Sequence, residues 1–202
     1  MENKILTKTQ TRIMEIFTAS ITKRFSVMQI SKLLRKPYAL IFNSIKHLIE
    51  NGFLEKDHNL ISLNYKSNHL ELTYIESIRK NEFLSKNKTI KLFVKDSLEI
   101  MKTDFFCMLI FGSYAENKQQ KGSDVDVLVI FEHDYKHDNI EKILENLVSK
   151  FSSSFHIHVI STKSAYEMLS KRDEANVMNE LLNKHIIIFG GENFYRILKN
   201  AR

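Results

Sequence analysis

Apolar residues recur three to four positions apart in the first third of the chain, a spacing that predicts amphipathic helices. The pattern places helices at residues 7–19, 26–34 and 37–50, and a Ser-x-x-Gln capping box opens the second of them. A proline in the first turn and an Asn-Gly stop bound the third helix. Residues 53–56 and 60–63, separated by Asp57-His58-Asn59, then predict a strand, a turn and a strand.

Residues 66–86 form a predicted connecting segment that contains a helix over residues 70–79. Leu72, Ile75 and Ile78 fall on one side of this helix. Such an apolar stripe fits pairing with a second copy of the chain, and it fits a linker packed within one chain equally well.

Over residues 87–202, apolar runs of strand length alternate with amphipathic helices. This alternation predicts an α/β domain with a mixed sheet and with helices on one face. The expected domains are therefore residues 1–65, the connecting segment 66–86, and residues 87–202. The predicted helices of the last domain lie at 87–101, 139–151, 163–169, 174–183 and after 191, and the predicted strands at 105–111, 124–131, 155–161 and 186–189.

The composition indicates a protein with a sizeable core and no membrane segment. The chain has 202 residues, of which 43% are hydrophobic, enough for one large or two small domains. No apolar run reaches the roughly 20 residues that span a bilayer, and no signal-peptide pattern is present. The single cysteine, Cys107, lies in an apolar run, so an intrachain disulfide is excluded. We expect a reducing, cytoplasmic location.

The formal net charge of +6 is concentrated in the first third of the chain. Residues 1–65 hold ten Lys or Arg against five Asp or Glu, whereas the remaining residues hold 20 against 19. An excess of positive charge in one part of a chain indicates that this part contacts an anionic partner.

The strongest chemical signal lies in residues 105–131. One apolar run leads into Gly112 and Ser113, and a second begins with Asp124 and Asp126. Side chains at i and i+2 of a strand share a face, so the two carboxylates repel each other unless a cation lies between them. Hard oxygen ligands suit Mg²⁺. A glycine backbone beside a hydroxyl can hold phosphate oxygens.

Gly-Ser, a short variable loop and Asp-x-Asp inside an apolar strand resemble the signature of the nucleotidyltransferase superfamily, which includes DNA polymerase β and the minimal nucleotidyltransferases. The resemblance covers roughly residues 87–189. It implies an α/β core that binds an NTP with Mg²⁺ and transfers a nucleoside monophosphate to a hydroxyl on a protein, RNA or small molecule. It also implies roles for individual residues: Asp124 and Asp126 as catalytic metal ligands, and Gly112, Ser113 and Ser123 in nucleotide binding.

The chain departs from the family pattern at two places. The family usually has a third carboxylate on the next strand, which here holds His156 and His158 and no acid. Either one of these histidines stands in the third position, or both are ordinary strand histidines at the rim of the cleft. Glu116 follows the Gly-Ser motif where many relatives have a basic residue, and Lys118 and Lys121 are nearby cations that could offset its charge.

A weaker candidate is a zinc site formed by His133 and His137 with Asp134 and Asp138. The spacing is metal-like, but these residues lie in a polar loop, and no cysteine supports them.

The three helices and the hairpin of residues 1–65 resemble the winged helix-turn-helix domains of prokaryotic regulators. The resemblance implies that the third helix enters the major groove of double-stranded DNA. The candidate DNA-binding residues are Tyr38, Asn43, Ser44, Lys46, His47 and Lys56. The alternative is a small helical module used for dimerisation or for presenting a substrate.

Two functions from different classes follow. The first is an enzyme that transfers a nucleoside monophosphate and uses the N-terminal module to position its acceptor. The second is a DNA-binding transcriptional regulator, or an antitoxin-like protein, with a degenerate, non-catalytic nucleotidyltransferase core. Minimal nucleotidyltransferases are often paired with a small helical toxin, so a toxin-like partner is expected in the second case, and a homodimer is compatible with both. The intact Gly-Ser and Asp-x-Asp favour the enzyme, whereas the missing third acid and the basic N-terminal domain favour the regulator.

Overall fold

The computed structural model describes residues 6–101, 105–132 and 137–201, apart from the side chains of residues 137 and 138. Within these ranges, none of the helices combines the length and the apolar character needed to cross a bilayer. The helices are α1 (Lys8–Thr18), α2 (Val27–Leu34), α3 (Tyr38–Glu50), α4 (His69–Lys86), α5 (Lys88–Ile100), α6 (Gly112–Ala115), α7 (His137–Val148), α8 (Thr162–Ser170), α9 (Val177–Leu181) and α10 (Gly191–Asn200). The strands are β1 (Leu54–Asp57), β2 (Leu60–Leu63), β3 (Phe106–Phe111), β4 (Val125–Phe131), β5 (Phe155–Ser161) and β6 (His185–Phe189).

Capping boxes start the first two helices. The Thr7 hydroxyl accepts a hydrogen bond from the backbone N–H of Gln10, whose side chain accepts one from the Thr7 N–H in return. Ser26 and Gln29 repeat this arrangement at the start of α2, as their spacing predicts. Each box satisfies two backbone donors that a helix start otherwise leaves without partners.

The predicted hairpin is present after α3. β1 and β2 pair in antiparallel register, from Leu54 opposite Leu63 to Asp57 opposite Leu60. The turn between them places His58 at φ +54°, a conformation that few non-glycine residues adopt. Residues 6–65 therefore contain three helices followed by a two-stranded hairpin.

The C-terminal part is built on a four-stranded sheet in the order β5-β4-β3-β6. β3 pairs with β4 and with β6 in antiparallel register, whereas β4 and β5 are parallel and are connected through α7. The predicted α/β class and the mixed sheet are confirmed.

Helices cover both faces of this sheet, so the expectation of helices on one face is wrong. Alternate residues of β4 point to opposite sides: Val127 and Val129 pack in the core that contains α5 and α7. Leu128 and Ile130 pack in the core that contains α8 and α10. A strand without a polar face must be covered on both sides. The expectation of helices on one face did not take this property of the all-apolar stretch of β4 into account.

The connecting helix α4 is packed within the chain. It extends seven residues beyond the predicted end and buries Leu72, Ile75 and Phe83. It contacts α1, β6 and α10, so the intrachain alternative is the one that the structure shows. Leu72 and Ile75 share one continuous apolar core with residues of α1 and α10. The domain boundaries proposed from the sequence remain predictions.

A buried polar cluster joins α4 to the C-terminal part. The Tyr195 hydroxyl donates to Glu76 Oε1 at 2.9 Å, and His185 Nε2 lies 3.4 Å from the same oxygen. Arg79 pairs with Glu76 and donates to the His185 carbonyl oxygen at 2.6 Å. Burial by itself raises the pKa of Glu76, but Arg79, His185 and Tyr195 together outweigh it and hold that pKa below the ordinary value.

Candidate functional site

Backbone pairing brings the sequence-predicted site residues to one edge of the sheet. β3 ends at this edge, and β4, β5 and β6 begin there. In the sheet register, Phe111 lies opposite Asp126 on one side and opposite His185 on the other. Asp126 in turn lies beside His156 of the parallel neighbour. The Gly-Ser motif that follows Phe111 is therefore adjacent to the Asp-x-Asp motif.

Asp124, Asp126 and His156 form a compact group at this edge. His156 Nε2 lies 3.7 Å from Asp124 Oδ2, and His156 Nδ1 lies 3.7 Å from Asp126 Oδ1. The imidazole, on the neighbouring strand, thus lies close to both carboxylates. His158 lies farther along β5, where its ring packs against Phe111 at a centroid distance of 5.7 Å. Of the two histidines, His156 is the one that faces both acids.

The pKa of Asp126 is raised above its ordinary value, first because the carboxyl group is partly buried and also because Asp124 is close. His156 and His158 act in the opposite direction without cancelling the effect. Partial burial beside a like charge disfavours the ionised form, and a bound cation would favour it.

Gly112 lies directly against Asp126. A Cβ atom at position 112 would collide with the Asp126 carboxylate, and φ of Gly112 is +68°. Both the space and the backbone conformation therefore require glycine here. The missing side chain allows the start of α6 to approach the carboxylate closely.

The two predicted nucleotide-binding serines occupy different places. Ser113 follows Gly112 in the first turn of α6. The Ser123 hydroxyl accepts a hydrogen bond from the backbone N–H of Gln120 at 2.9 Å, so it closes the loop before β4. The nucleotide-binding roles of both serines remain predictions.

Glu116 lies between two lysines. Lys118 is 3.1 Å from its carboxylate, and Lys184, just before β6, is 3.5 Å away. The pKa of Glu116 is lowered, mainly by the hydrogen bond from Lys118 and further by Lys184. Its negative charge is thus compensated on both sides. Sequence analysis identified Lys118 but missed Lys184, which lies 68 positions away from Glu116 and follows no motif.

The donor set can hold Mg²⁺ through two carboxylates. Over the ranges that the structure describes, no three His, Cys, Asp or Glu side chains meet the geometry of a metal cluster. Mg²⁺ commonly binds one or two protein carboxylates and completes its octahedral shell with waters and substrate phosphates. Asp124 and Asp126 fit that requirement. The zinc candidate that includes His133 and Asp134 lies outside the described residues, as do the side chains of His137 and Asp138.

The family model described as "Nucleotidyltransferase domain" matches residues 88–188, which is half of the chain. The chain belongs to this nucleotidyltransferase family. The resemblance inferred from Gly-Ser and Asp-x-Asp is thereby confirmed, and the matched range agrees with the expected 87–189.

No curated protein sequence matches the chain significantly. Among solved structures, the chain is similar to one described as the crystal structure of a toxin-antitoxin with AMP-PNP. The two share 16% sequence identity, and the match covers 56% of this chain and 83% of the other, with a TM-score of 0.37. Similarity at this level carries no inference about ligands or partners.

N-terminal to the nucleotidyltransferase domain, three of the six predicted DNA-binding residues surround one cavity. Tyr38, Lys46 and Lys56 line a cavity of about 580 Å³ between α2, α3 and the hairpin. Lys46 also lies 3.9 Å from Glu50 one turn along α3. Asn43 is exposed on the same helix.

The other two candidates are engaged in local hydrogen bonds. The Ser44 hydroxyl donates to the Leu40 carbonyl oxygen at 2.8 Å. His47 Nδ1 lies 3.0 Å from the Gln10 side-chain nitrogen, which turns the ring towards α1. These contacts give both side chains a structural role within the module.

Large apolar side chains are exposed beside the predicted DNA-binding residues. Tyr38 and Phe42 stack at a centroid distance of 6.1 Å, and both are almost half exposed. Met28 and Leu33 on α2 and Leu40 on α3 are exposed as well. Exposed apolar surface of this kind is typical of contact with another macromolecule. Sequence analysis placed the polar residues of α3 but missed how much of this face is apolar.

Proposed function

We propose that the nucleotidyltransferase domain binds an NTP with Mg²⁺ and transfers a nucleoside monophosphate to a hydroxyl acceptor. The observation that carries this proposal is the close grouping of Asp124, Asp126 and Gly112 at one edge of the family's sheet. When bound, Mg²⁺ neutralises the charge that develops on the phosphoryl oxygens.

Each of these residues has a definite part in the proposed reaction. Asp124 and Asp126 would supply the carboxylate oxygens that hold Mg²⁺. Gly112, because it lacks a side chain, lets phosphate oxygens approach the backbone of residues 112–113 beside the Ser113 hydroxyl. Lys118 and Lys184 neutralise Glu116, which removes a repulsive charge from the neighbourhood of the triphosphate.

We further propose that His156 takes the position of the third carboxylate without binding Mg²⁺. An imidazole is a poor ligand for this hard cation, but a neutral ring nitrogen can accept a proton. Its two nitrogens each lie 3.7 Å from one of the two acids, which places the ring beside both carboxylates. His156→Ala should therefore slow transfer, whereas His156→Asp should retain it. Equal activity of both variants and the wild type would make His156 an ordinary rim residue.

The test of transfer uses the full chain with Mg²⁺ and labelled ATP, GTP, CTP or UTP, with a cell lysate as the source of acceptors. We expect label on a protein, RNA or small molecule. Asp124→Asn combined with Asp126→Asn should lower the rate at least about 100-fold, since several kcal/mol of charge stabilisation are lost. Full activity of this double variant, or no labelled acceptor with any NTP, would contradict the proposal.

A second proposed function is DNA binding by residues 1–65. It is supported by the excess of basic residues in this module and by the grouping of Tyr38, Lys46 and Lys56 around one cavity. Under this proposal the core of a regulator senses nucleotide, and the exposed apolar side chains of α2 and α3 contact DNA or a small helical partner protein.

Fluorescence anisotropy with labelled DNA from the region upstream of the gene tests this second function. Lys46→Ala and Lys56→Ala should weaken binding, and each should reduce the slope of log K against log salt by about 1. Lys95→Ala is the matched control, because Lys95 is also exposed and also pairs with a glutamate one turn away, at 3.7 Å. Unchanged binding in the Lys46 and Lys56 variants would leave the dimerisation or substrate-presentation alternative.

A further inference from the structure

A polar cleft of about 540 Å³ lies between the N-terminal module and helices α8 to α10. It is separate from the cavity that Tyr38, Lys46 and Lys56 line. Thr22, Asn64 and Lys66 line it from the N-terminal side, and Arg172, Asn179 and Asn183 line it from the C-terminal side. Hydroxyl, amide and cationic groups thus face one space from both walls.

The charged lining of the cleft is mainly positive. Arg24, Lys66 and Arg172 face it together with one carboxylate, that of Glu55. Arg24 pairs with Asp57 at 3.0 Å outside this lining. Among the residues that the structure describes, Lys66 and Arg172 have no ion-pair partner. One cation from each wall is therefore available to an anionic ligand.

The two walls are held together at one end of the cleft. The Ile21 backbone N–H donates to the Leu182 carbonyl oxygen at 2.8 Å, and the Asn183 side-chain amide donates to the Thr22 hydroxyl at 2.7 Å. The cleft is thereby formed before any ligand arrives, which lowers the entropic cost of binding.

The loop that carries Arg172 is fixed as well. The Asn179 side-chain amide donates to the carbonyl oxygens of Lys171 at 2.9 Å and of Glu174 at 2.8 Å. These bonds hold the backbone on both sides of Arg172. The guanidinium group therefore extends from a fixed backbone.

Three consecutive residues connect the cleft to the Asp124–Asp126 site. Asn183 lines the cleft, Lys184 pairs with Glu116 just after the Gly-Ser motif, and His185 pairs in the sheet with Phe111. The cleft and the candidate catalytic edge thus adjoin the same short segment.

We propose that this cleft is a second phosphate-binding site, which takes a nucleoside 5′-monophosphate unit, either free or at the end of an oligonucleotide. An arginine fork and a lysine suit phosphate, while the side-chain amide oxygens of Asn64 and Asn179 can accept hydrogen bonds from the sugar and base. The volume lies in the range of small-ligand pockets. Calling this ligand the acceptor depends on the proposed transfer function, whereas the proposal that it binds in the cleft does not.

The test is calorimetric titration of the full chain with AMP, in EDTA, using the Asp124→Asn/Asp126→Asn variant so that the metal-dependent site is disabled. We expect saturable binding, and adenosine, which lacks the phosphate, should bind at least about tenfold more weakly. Arg172→Gln and Lys66→Gln should each weaken AMP binding about tenfold or more. Lys171→Gln is the matched control, because the neighbouring Lys171 pairs with Glu174 at 3.4 Å and does not line the cleft.

A 5′-phosphorylated trinucleotide, titrated in the same way, separates the two sources of the ligand. Tighter binding of the trinucleotide would identify an oligonucleotide end, and tighter binding of AMP would identify a free nucleotide. The proposal fails if neither binds, or if Arg172→Gln and Lys66→Gln bind both as the unsubstituted background does. It also fails if the wild type binds AMP and the double aspartate variant does not, because the binding then belongs to the Asp124–Asp126 site. That result leaves the proposed transfer function intact. Phosphate-dependent binding without any transfer would instead overturn only the proposed function.

Discussion

Tyr195 and Glu76 are hydrogen-bonded at 2.9 Å inside the protein, although 119 positions separate them in the sequence. Both side chains are almost completely buried. A buried carboxylate is costly unless its oxygens have partners, and here a phenol, a guanidinium and an imidazole surround it. The contact fixes α4 to α10, and Arg79 extends the same cluster to β6.

Tyr195→Phe should lower the free energy of unfolding by about 1–3 kcal/mol, because Glu76 loses one donor in a buried site. Urea denaturation followed by circular dichroism measures the loss. Tyr74→Phe is the control, since Tyr74 is 63% exposed, and it should stay within about 0.5 kcal/mol of the wild type. Equal stability of the two variants would show that the hydrogen bond contributes nothing.

The lowered pKa of Glu76 predicts a loss of stability in acid. An unfolded glutamate titrates at about pH 4.3, so the contribution of Glu76 is complete above that pH. As pH falls below it, the unfolded chain takes up the proton first, and the contribution is lost by the time pH passes the lower folded pKa. The stability difference between wild type and Glu76→Gln should therefore shrink from pH 7 towards pH 3 in urea titrations. A difference that stays constant would contradict the assignment.

Gly112→Ala should disrupt the nucleotide site. The new Cβ would displace the Asp126 carboxylate, and it would also strain a backbone at φ +68°. We expect binding of a fluorescent NTP analogue with Mg²⁺ to weaken at least about tenfold, equivalent to about 1.4 kcal/mol. Gly122→Ala separates the two causes, because φ of Gly122 is +89° but a Cβ atom added there would meet no other atom within 4 Å. A similar loss of nucleotide binding in both variants would show that backbone strain alone causes the effect.

Cys107 should be unreactive in the folded protein. Burial raises the pKa of its thiol to about 12, so almost no thiolate exists at pH 8. A thiol reagent such as dithionitrobenzoate should release colour only after urea unfolds the chain, at one equivalent per molecule. Rapid reaction without denaturant would show that β3 opens locally.

Local patterns predicted the parts of the fold that depend on local chemistry. The capping box at Ser26 and Gln29 and the strand at Phe155–Ser161 follow directly from residue order. Asp124 and Asp126 could be placed together because a strand repeats every two residues. The Gly-Ser motif identified Gly112 and Ser113 as further residues of the candidate site.

Long-range contacts could not be predicted in the same way. Lys184 pairs with Glu116 only because β6 returns next to β3 in the folded sheet, and His185 lies beside Glu76 only because α4 packs against β6. A polar residue such as Glu76 on a predicted helix also looks solvent-exposed in sequence, since glutamates are rarely buried without partners. Its partners come from a separate part of the chain, and their positions depend on the complete topology.

The apolar core shared by α1, α4 and α10 bears on how the molecule melts. Cutting the chain between residues 65 and 66 would expose Ile13 and Phe17 on one piece and Leu72 and Ile75 on the other. Neither piece would keep the packing that it has in the intact chain. The N-terminal module and the nucleotidyltransferase domain should therefore unfold together, as one cooperative calorimetric transition in place of two.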